Sequence, residues 1–452
     1  MAREITLEYM VSRIERLPLS RYMWYIIIVV GFATFFDGFG LYTSTVTSLS
    51  VKSQFNLSTS PYVLYTTGVL IGNFIGDFIG GPLADKFGRR RFLWITVIII
   101  AIGSLWTALS PVTWSLIASR VVTGIGIGAD LIVAYAYLSE VTPSKVRGLV
   151  TGAMYIILVA GIPVAILLGY FLIKIFPVLG WRYLYLIGAI IAVFALLVRL
   201  GLPESPRFYF TIKEDFGKAE SQIEFIENRV RRNLGGKLPD IVNVVVPEIP
   251  RRVSYKKLFE PGYGRTTLLA TLIAIFGLVG GLSISFFVPA ILVARGFSIQ
   301  KSLLYTAVGA LGLLFGPVVV TVIRDTIERR TQMIIYAVLT AFFGIFLGVA
   351  PTSASILIAA FLFNVFNQSW AAVYHMYLAE IFPTTVRSTG PGFADAWGRI
   401  GIVIASLFLF GLVTSLVLRL TLIGVIILLG AVTLIVIGVK TSRKTLEDIS
   451  GG

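Results

Sequence analysis

The stretch GPLADKFGRRR at residues 81–91 decides the fold of this chain, because a degraded copy, RDTIERR, returns at residues 324–330. Asp85 recurs 240 residues later as Asp325, and Arg89 recurs 240 residues later as Arg329. Both copies lie at the ends of long apolar segments. A membrane protein built from two parallel repeats usually moves a solute along the interface between them.

A second motif obeys the same shift. Residues 140–143 read EVTP and residues 380–383 read EIFP, and an arginine, Arg147 or Arg387, follows each four residues later. Two unrelated motifs with one common offset indicate a duplicated half.

The composition is that of a membrane protein. The chain has 452 residues, of which 56% are hydrophobic and only 13% are charged, so lipid must solvate much of its surface. Cysteine is absent, which excludes disulfides and thiolate metal sites. The apolar run after residue 21 is too long for a cleavable signal peptide and is predicted to be the first membrane helix.

Apolar runs of about 20 residues predict twelve membrane helices. They cover residues 22–46, 61–83, 92–111, 113–140, 147–172, 180–202, 265–294, 300–323, 331–350, 353–382, 388–416 and 418–440. The predicted fold is therefore all-α, with two pseudo-symmetric six-helix bundles at residues 1–202 and 265–452. Residues 203–264 form a polar linker, in which residues 214–232 are predicted to be a charged helix. We interpret this linker as a tether between the halves in preference to a regulatory module.

The net charge of +15 is concentrated on one side of the predicted membrane. With both termini in the cytoplasm, the inner loops hold about a dozen basic residues of the linker and also Lys86, Arg89, Arg90, Arg91, Lys145, Arg147, Arg324, Arg329, Arg330 and Arg387. The outer loops hold only Lys52, Lys174, Arg182, Arg295, Lys301 and Arg419. This bias predicts that both termini are cytoplasmic, and it argues against a nucleic-acid partner. The expected location of this multi-pass protein is the plasma membrane.

The motif at residues 81–91 resembles that of the major facilitator superfamily, and the resemblance extends over nearly the whole chain. Residues 120–148 look like its helix 4 and following loop, residues 203–207 like the segment after helix 6 of sugar porters, and residues 379–390 like the end of helix 10. The resemblance implies two six-helix bundles around a central cavity, alternating access, a small-molecule substrate, no cofactor and a monomeric carrier.

Two branches of the superfamily are suggested. RLPLSR at residues 16–21 and FDGF at residues 36–39 are similar to the niacin, aromatic-acid and synaptic-vesicle-like branch, and GIGAD at residues 126–130 is similar to the phosphate:proton branch. Two departures weaken phosphate and sugar as substrates. Gly40 stands where these branches usually have a second acid, and helix 7, around residues 277–287, lacks both the phosphate branch's Asp and the sugar porters' glutamines.

Asp37 and Asp130 are the candidate proton carriers. A carboxylate at mid-membrane costs about 2.5–3.5 kcal/mol, so it should face a cavity or a partner, and a proton can cancel its charge. Asp130 lies midway between Arg120 and Glu140, about 15 Å from each along helix 4. It is the preferred proton site, Asp37 is second, and Arg120 completes the predicted proton-coupling set. The two acids are candidates for a coupled pair.

Both acids have a static alternative. Asp37 would then be bonded to helix N–H groups or to Tyr42. Asp130 would form a fixed ion pair with Arg120 or Arg399.

Arg399 in helix 11 is the candidate substrate-binding cation. It follows Asp395 by four residues, a spacing that puts both on one face and close enough to pair. A guanidinium near the membrane centre suits a carboxylate or a phosphate, because its planar fork binds two oxygens. In the alternative, Arg399 is paired with Asp395 alone and does not contact the substrate.

Helix 10 supplies further candidate substrate contacts. Its amide and aromatic side chains are Asn364, Asn367, Gln368, Trp370, Tyr374, His375 and Tyr377. Their three- and four-residue spacings predict a pore-facing stripe that stacks on a planar ligand. His375 is the only histidine, and a structural role is favoured for it over pH sensing. Tyr155 and residues 283–287 are weaker candidates.

Charged residues at the helix ends are candidate gating groups: Asp85, Arg89, Arg90, Glu140, Arg147, Asp325, Arg329, Arg330, Glu380 and Arg387. The resemblance implies an ion-pair network that latches the two halves. The alternative is a set of local loop salt bridges. Asp77 is a further candidate whose partner the sequence leaves open. The glycine runs at residues 124–128 and 277–281 are interpreted as sites of close helix packing.

The preferred function is proton-coupled symport of a small organic anion, a carboxylate. Phosphate:proton symport, sugar or polyol:proton symport and a non-transporting nutrient sensor remain as alternatives. An enzyme is disfavoured because no nucleophile–base pair or metal-ligand cluster stands out in the sequence.

Overall fold

The computed structural model describes residues 7–211, 213–241, 255–323, 326–382, 386 and 389–441. Within these ranges the chain forms sixteen α-helices and one 3-10 turn at Tyr255–Phe259. The helices are α1 (Leu7–Glu15), α2 (Arg21–Gln54), α3 (Thr59–Phe87), α4 (Arg89–Leu109), α5 (Thr113–Val141), α6 (Ser144–Ile175), α7 (Gly180–Arg199), α8 (Pro206–Thr211), α9 (Phe216–Leu234), α10 (Gly264–Ala294), α11 (Ile299–Ala310), α12 (Gly312–Ile323), α13 (Arg329–Val349), α14 (Ser353–Ile381), α15 (Thr389–Leu412) and α16 (Leu416–Ile437).

Twelve spans in the described residues are long and apolar enough to cross a membrane, as predicted. Six of them, α2–α7, precede the polar linker, and six follow it, with α11 and α12 together forming one span. Large apolar side chains such as Ile190, Val322 and Val436 are exposed on their outer faces. In water this surface would be unfavourable, whereas lipid solvates it.

The spans pack into two halves that meet along specific helices. Within the first half, α3 packs along α5 and α2 along α6, and within the second half α10 packs along α15 and α13 along α14. Between the halves, α15 lies along α3 and α11 lies beside α6. Side chains on these four helices are therefore placed to sense a movement of one half against the other.

Glycine permits the closest helix contacts. A Cβ on Gly124 would lie 2.0 Å from the carbonyl oxygen of Val69, and a Cβ on Gly277 would lie 2.0 Å from the Trp370 ring. Both glycines belong to the runs that the sequence analysis assigned to close packing, and the geometry agrees with that interpretation.

The first span extends to Gln54, well past its predicted end at residue 46. Its last turns are rich in Ser and Thr, which lowers the local hydropathy. The hydroxyls are nevertheless satisfied inside the protein: Thr47 donates to the carbonyl of Thr43 at 2.7 Å, and Ser44 donates to the carbonyl of Thr66 at 2.8 Å. Hydropathy alone misses such a helix end, because it ignores these bonds.

The amino-terminal helix docks on the linker. The predicted linker helix is α9, displaced by two residues at each end, whereas α1 and α8 were not predicted. Glu227 of α9 accepts hydrogen bonds from Arg13 at 2.7 Å and from Arg16 at 2.6 Å. Burial opposes ionisation of this carboxyl, but the two guanidinium groups outweigh it, so the pKa of Glu227 is lowered.

Candidate functional site

Asp130 is held by an arginine that the sequence analysis did not consider. Arg199, at the end of α7, donates from Nη1 to Asp130 Oδ1 at 2.5 Å and from Nη2 to Asp130 Oδ2 at 2.9 Å. Thr96 of α4 donates to the same carboxylate at 2.5 Å. Both charged side chains are fully buried. A bidentate pair with a third donor is the arrangement that best compensates a buried carboxylate.

Asp37 lies beside this pair, and its side chain interacts with Asp130 and with the charge of Arg199. The residue is only 1% exposed, and neither carboxylate oxygen has a hydrogen-bond partner in the described part of the chain. Asp37, Asp130 and Arg199 are called the Arg199 cluster below. Two carboxylates share one guanidinium in it, so full ionisation leaves one buried negative charge. A single proton on either carboxylate removes that charge, so the two acids form a coupled pair.

The expected partners of Asp130 are therefore wrong. Arg120 donates to the carbonyl of Gly40 at 2.7 Å, and Arg399 pairs with a different acid. Tyr42, one of the partners of Asp37 in the static alternative, packs against Phe286 with ring centroids 5.1 Å apart. The sequence did contain a signal for the true partner, because an arginine inside a predicted membrane helix itself demands one.

A second cluster joins the two halves. Arg399 of α15 forms a hydrogen-bonded ion pair with Asp77 of α3. Asp395, one turn before Arg399, also interacts electrostatically with this guanidinium. Its Oδ1, however, accepts a hydrogen bond from the Tyr374 hydroxyl at 2.7 Å. Asp77, Arg399, Asp395 and Tyr374 are called the Arg399 cluster below.

The predicted i, i+4 pairing of Asp395 with Arg399 is thus corrected. The spacing does place both groups on one face of α15, but Asp77 of the opposite half takes the guanidinium as its direct partner. The structure also supplies the partner of Asp77 that the sequence left open.

Part of the helix 10 stripe faces the other half. Gln368 of α14 donates to the Tyr155 hydroxyl of α6 at 2.5 Å. The Trp370 and Tyr374 rings are stacked, with centroids 4.9 Å apart and planes inclined by 11°. His375 Nδ1 lies 4.0 Å from Asp395 Oδ2, and the histidine side chain is 47% exposed. Gln368 and His375 therefore contact Tyr155 of the other half, and the stacked aromatic pair lies next to them on the same helix.

Other predicted members of that stripe turn away from the interface. Asn364 donates to the carbonyls of Gly309 at 3.1 Å and Ala360 at 2.9 Å, so it is engaged inside the second half. Asn367 packs against Gly281 of α10. These two side chains share the helix with Gln368 and Tyr374 but point to other neighbours, so a direct substrate contact from Asn364 has no geometric support here.

The repeated motif forms the same ion pair in both halves. Arg89 donates from Nη2 to Glu140 at 3.1 Å, and Arg329 donates from Nε to Glu380 at 2.5 Å. Both pairs connect the residues that the 240-residue shift relates. They join helices within one half, however, so the expected latch between the halves is not formed by these two pairs in this conformation. Asp85 reinforces the first pair at 2.5 Å.

The remaining gating candidates make local contacts. Arg90 donates to the Leu200 carbonyl and Arg330 to the Ile435 carbonyl, both at 2.7 Å. Arg147 lies 3.8 Å from Glu15 of the amino-terminal helix. Asp325 and Arg387 lie outside the described residues.

Comparisons with known proteins agree with this architecture. A family model described as sugar (and other) transporter matches residues 20–451. The inner membrane metabolite transport protein YdjE of Escherichia coli is 30% identical over 97% of this chain and 98% of its own length. The putative metabolite transport protein YyaJ of Bacillus subtilis is 27% identical over 96% of each chain. The niacin transporter NiaP of Acinetobacter baylyi is 28% identical over 97% of this chain and 99% of its own.

Solved structures share the fold. A partially occluded inward-open conformation of the xylose transporter XylE from E. coli superposes with a TM-score of 0.76 at 21% identity, covering 94% of this chain and 100% of that one. A D-xylose-proton symporter superposes with a TM-score of 0.74 at 21% identity and the same coverage. The chain is therefore a multi-pass membrane transporter that belongs to the sugar (and other) transporter family and has the major facilitator fold.

Proposed function

We propose that the protein is a proton-coupled symporter of a small carboxylate, working as a monomer by alternating access in the plasma membrane with both termini cytoplasmic. The observation that carries this proposal is the Arg399–Asp77 pair, a cation of one half bound by an acid of the other. A substrate carboxylate has the same chemistry as Asp77 and competes with it for the guanidinium fork.

Competition at Arg399 links binding to movement. Asp77 and Arg399 lie on the helices that pack along each other between the halves. When a substrate carboxylate takes the guanidinium, this contact between the halves is exchanged for a contact with the substrate. The stacked Trp370–Tyr374 pair lies beside Asp395 and is buried in this conformation, so its aromatic surface becomes available to a planar acid only when the halves move apart.

The Arg199 cluster supplies the proton step. The sequence ranked Asp130 first as proton carrier, but its carboxylate accepts three hydrogen bonds from Arg199 and Thr96, whereas neither carboxylate oxygen of Asp37 has a hydrogen-bond partner among the described residues. We therefore assign proton exchange to Asp37, with Asp130 as the other member of a coupled pair. A proton on Asp37 makes the cluster neutral, which avoids moving a net buried charge when the carrier reorients.

The two clusters lie on helices in direct backbone contact. A Cβ on Gly76, the neighbour of Asp77, would lie 2.4 Å from the Ile125 carbonyl oxygen and 2.7 Å from the amide nitrogen of Ala129, the neighbour of Asp130. A shift of α3 on release of Asp77 is therefore felt by α5 next to the proton site, because close-packed helices move together.

The names of the relatives support a carboxylate substrate and leave a sugar as the second candidate. The niacin transporter NiaP carries a name that points to an aromatic carboxylate. A D-xylose transporter of Levilactobacillus brevis, 29% identical over 84% of this chain, and an arabinose-proton symporter of B. subtilis keep sugar:proton symport as the second candidate.

Uptake by proteoliposomes tests the proposal. Labelled nicotinate, benzoate, phosphate and xylose are supplied with and without an inside-alkaline pH gradient to wild type, Arg399→Ala and Asp37→Asn. Asp215→Asn is the matched control, because Asn preserves the cap that this exposed linker residue gives α9. We expect gradient-driven uptake of a carboxylate in wild type and in the control, and its loss in the other two.

Other outcomes assign other functions. Xylose uptake that survives Arg399→Ala would show that the substrate is a sugar and not a carboxylate. Uptake of phosphate alone would identify the protein as a phosphate:proton symporter. Absence of any flux for a correctly folded protein would favour a sensor.

A further inference from the structure

Arg120 is a fully buried cation without an acidic partner among the described residues. Its Nη2 donates to the Gly40 carbonyl at 2.7 Å, and its guanidinium lies 5.3 Å from the centre of the Tyr185 ring. The Nε and Nη1 atoms are buried and have no hydrogen-bond partner in the described part of the chain. A buried charge that lacks a counterion is strongly unfavourable, so this group calls for an anion.

A small cavity lies at this guanidinium. It has a volume of about 10 Å³, and Gly40, Thr43, Ser104, Arg120 and Tyr185 are among the residues that line it. This volume holds one group of the size of a water molecule. A ring carboxylate is too large for it, whereas a halide ion, which is only somewhat larger than a water molecule, enters with a small outward shift of the lining side chains.

The cavity is separate from the proposed substrate path. Its lining comes from α2, α4, α5 and α7, all in the first half, and the Arg399 cluster lies between the halves. Its lining combines the polar side chains of Thr43, Ser104 and Tyr185 with the apolar ones of Phe36, Phe39, Ile100 and Leu184. The Tyr185 hydroxyl bonds to that of Tyr65 at 2.9 Å, and Tyr65 bonds to Thr47 at 2.7 Å.

Gly40 provides open space at the site. It has no side chain to fill its part of the lining, and a Cβ built there would meet only the terminal methyl of Ile127, at 3.2 Å. A short acidic side chain at position 40 would start close to Arg120, because Arg120 already donates a hydrogen bond to the backbone carbonyl of that residue.

We propose that the Arg120 cavity is a binding site for a monovalent inorganic anion of halide size, held by the free Nε–H and Nη1–H groups of Arg120. The ion neutralises the guanidinium and ties α5 to α2. It is a resident ion of the first half and is distinct from the transported carboxylate.

Halide titration of the purified full-length protein tests the site. The midpoint of thermal unfolding is measured in potassium chloride, potassium bromide and potassium gluconate at equal ionic strength. We expect both halides to raise the wild-type midpoint in a saturable manner, because a ligand that binds only the folded state stabilises it, and gluconate to give no such rise. Equal midpoints in chloride and gluconate would overturn the proposal and leave a cavity that holds water only.

Two substitutions at one position locate the effect. Gly40→Asp supplies a carboxylate to Arg120, so its midpoint should no longer respond to halide. Gly40→Ala places a methyl group in the same space without the charge, so it should weaken the halide response without giving the higher midpoint in gluconate that the carboxylate of Gly40→Asp should give. Arg120→Gln should also lose the response.

A halide response that persists in both Gly40→Asp and Arg120→Gln would be a general salt effect and would contradict the proposal. Carboxylate uptake that is unchanged by removing chloride, together with an absent halide response, would reject this site and leave the proposed transport function standing.

Discussion

The Arg199 cluster and the Arg399 cluster each contain two aspartates and one arginine, but they lie in different places. Each sets two carboxylates around one arginine. The first lies within one half, on α2, α5 and α7, whereas the second spans the halves from α3 to α15. A cluster within one half can stay assembled during rocking and change only its proton content. A cluster that spans the halves must open, because alternating access separates them. Location, more than residue type, sets the role of each cluster.

The largest expected effect comes from removing the arginine of the cluster within one half. Arg199→Gln leaves Asp130 and Asp37 buried without a cation, and breaking a buried pair costs about 3–5 kcal/mol. We expect a strong fall in the thermal unfolding midpoint and in the yield of folded protein. The double variant Arg199→Gln/Asp130→Asn should regain much of the loss. A single variant as stable as wild type would mean that the pair contributes little to folding.

Neutralising Asp37 should separate coupling from folding. Asp37→Asn imitates the protonated carboxyl, so the fold should stay intact while accumulation driven by the pH gradient falls to the passive ratio. Counterflow exchange of substrate should persist, because it needs no net proton movement. Gradient-driven accumulation at the wild-type level would remove Asp37 from the proton step.

Neutralising Asp77, in the cluster between the halves, should strengthen substrate binding while it slows net uptake. Asp77→Asn removes the acid that competes for Arg399, so carboxylate binding measured by calorimetry should tighten about tenfold, equivalent to about 1.4 kcal/mol. Net uptake should slow, because the closed arrangement loses its ion pair. Weaker binding would show that Asp77 helps to hold the substrate and does not compete with it.

The smallest effect is expected at the linker. The pKa of Glu227 is lowered, because hydrogen bonds from Arg13 and Arg16 outweigh its burial. A lowered pKa in the folded state gives stability that is present above the ordinary value of 4.5 and is lost as the pH falls through the lowered value. Amide hydrogen exchange of α1 should therefore be equally protected from pH 5 to 8 after correction for intrinsic rates. Glu227→Gln should reduce that protection without changing transport.

Local pattern accounts for the features that were predicted correctly. Hydropathy identified twelve spans, because lipid exposure requires about 20 apolar residues in a row. The 240-residue shift related Arg89–Glu140 to Arg329–Glu380, and both pairs form. Spacing within one helix also placed Asp395 and Arg399 on one face. The same spacing wrongly predicted that Asp395 is the direct partner of Arg399, because spacing within one helix contains no information about an acid on another helix.

The sequence by itself determined that this chain is a two-fold repeated membrane transporter with rare charges buried in its spans, because the bilayer imposes length, apolarity and a need for charge partners on each segment separately. Tertiary structure alone decided which charges meet. Asp130 pairs with Arg199 across 69 residues of chain, and Asp77 pairs with Arg399 across 322. Such pairings depend on helix packing between distant segments, and the periodicity of any one helix carries no information about them.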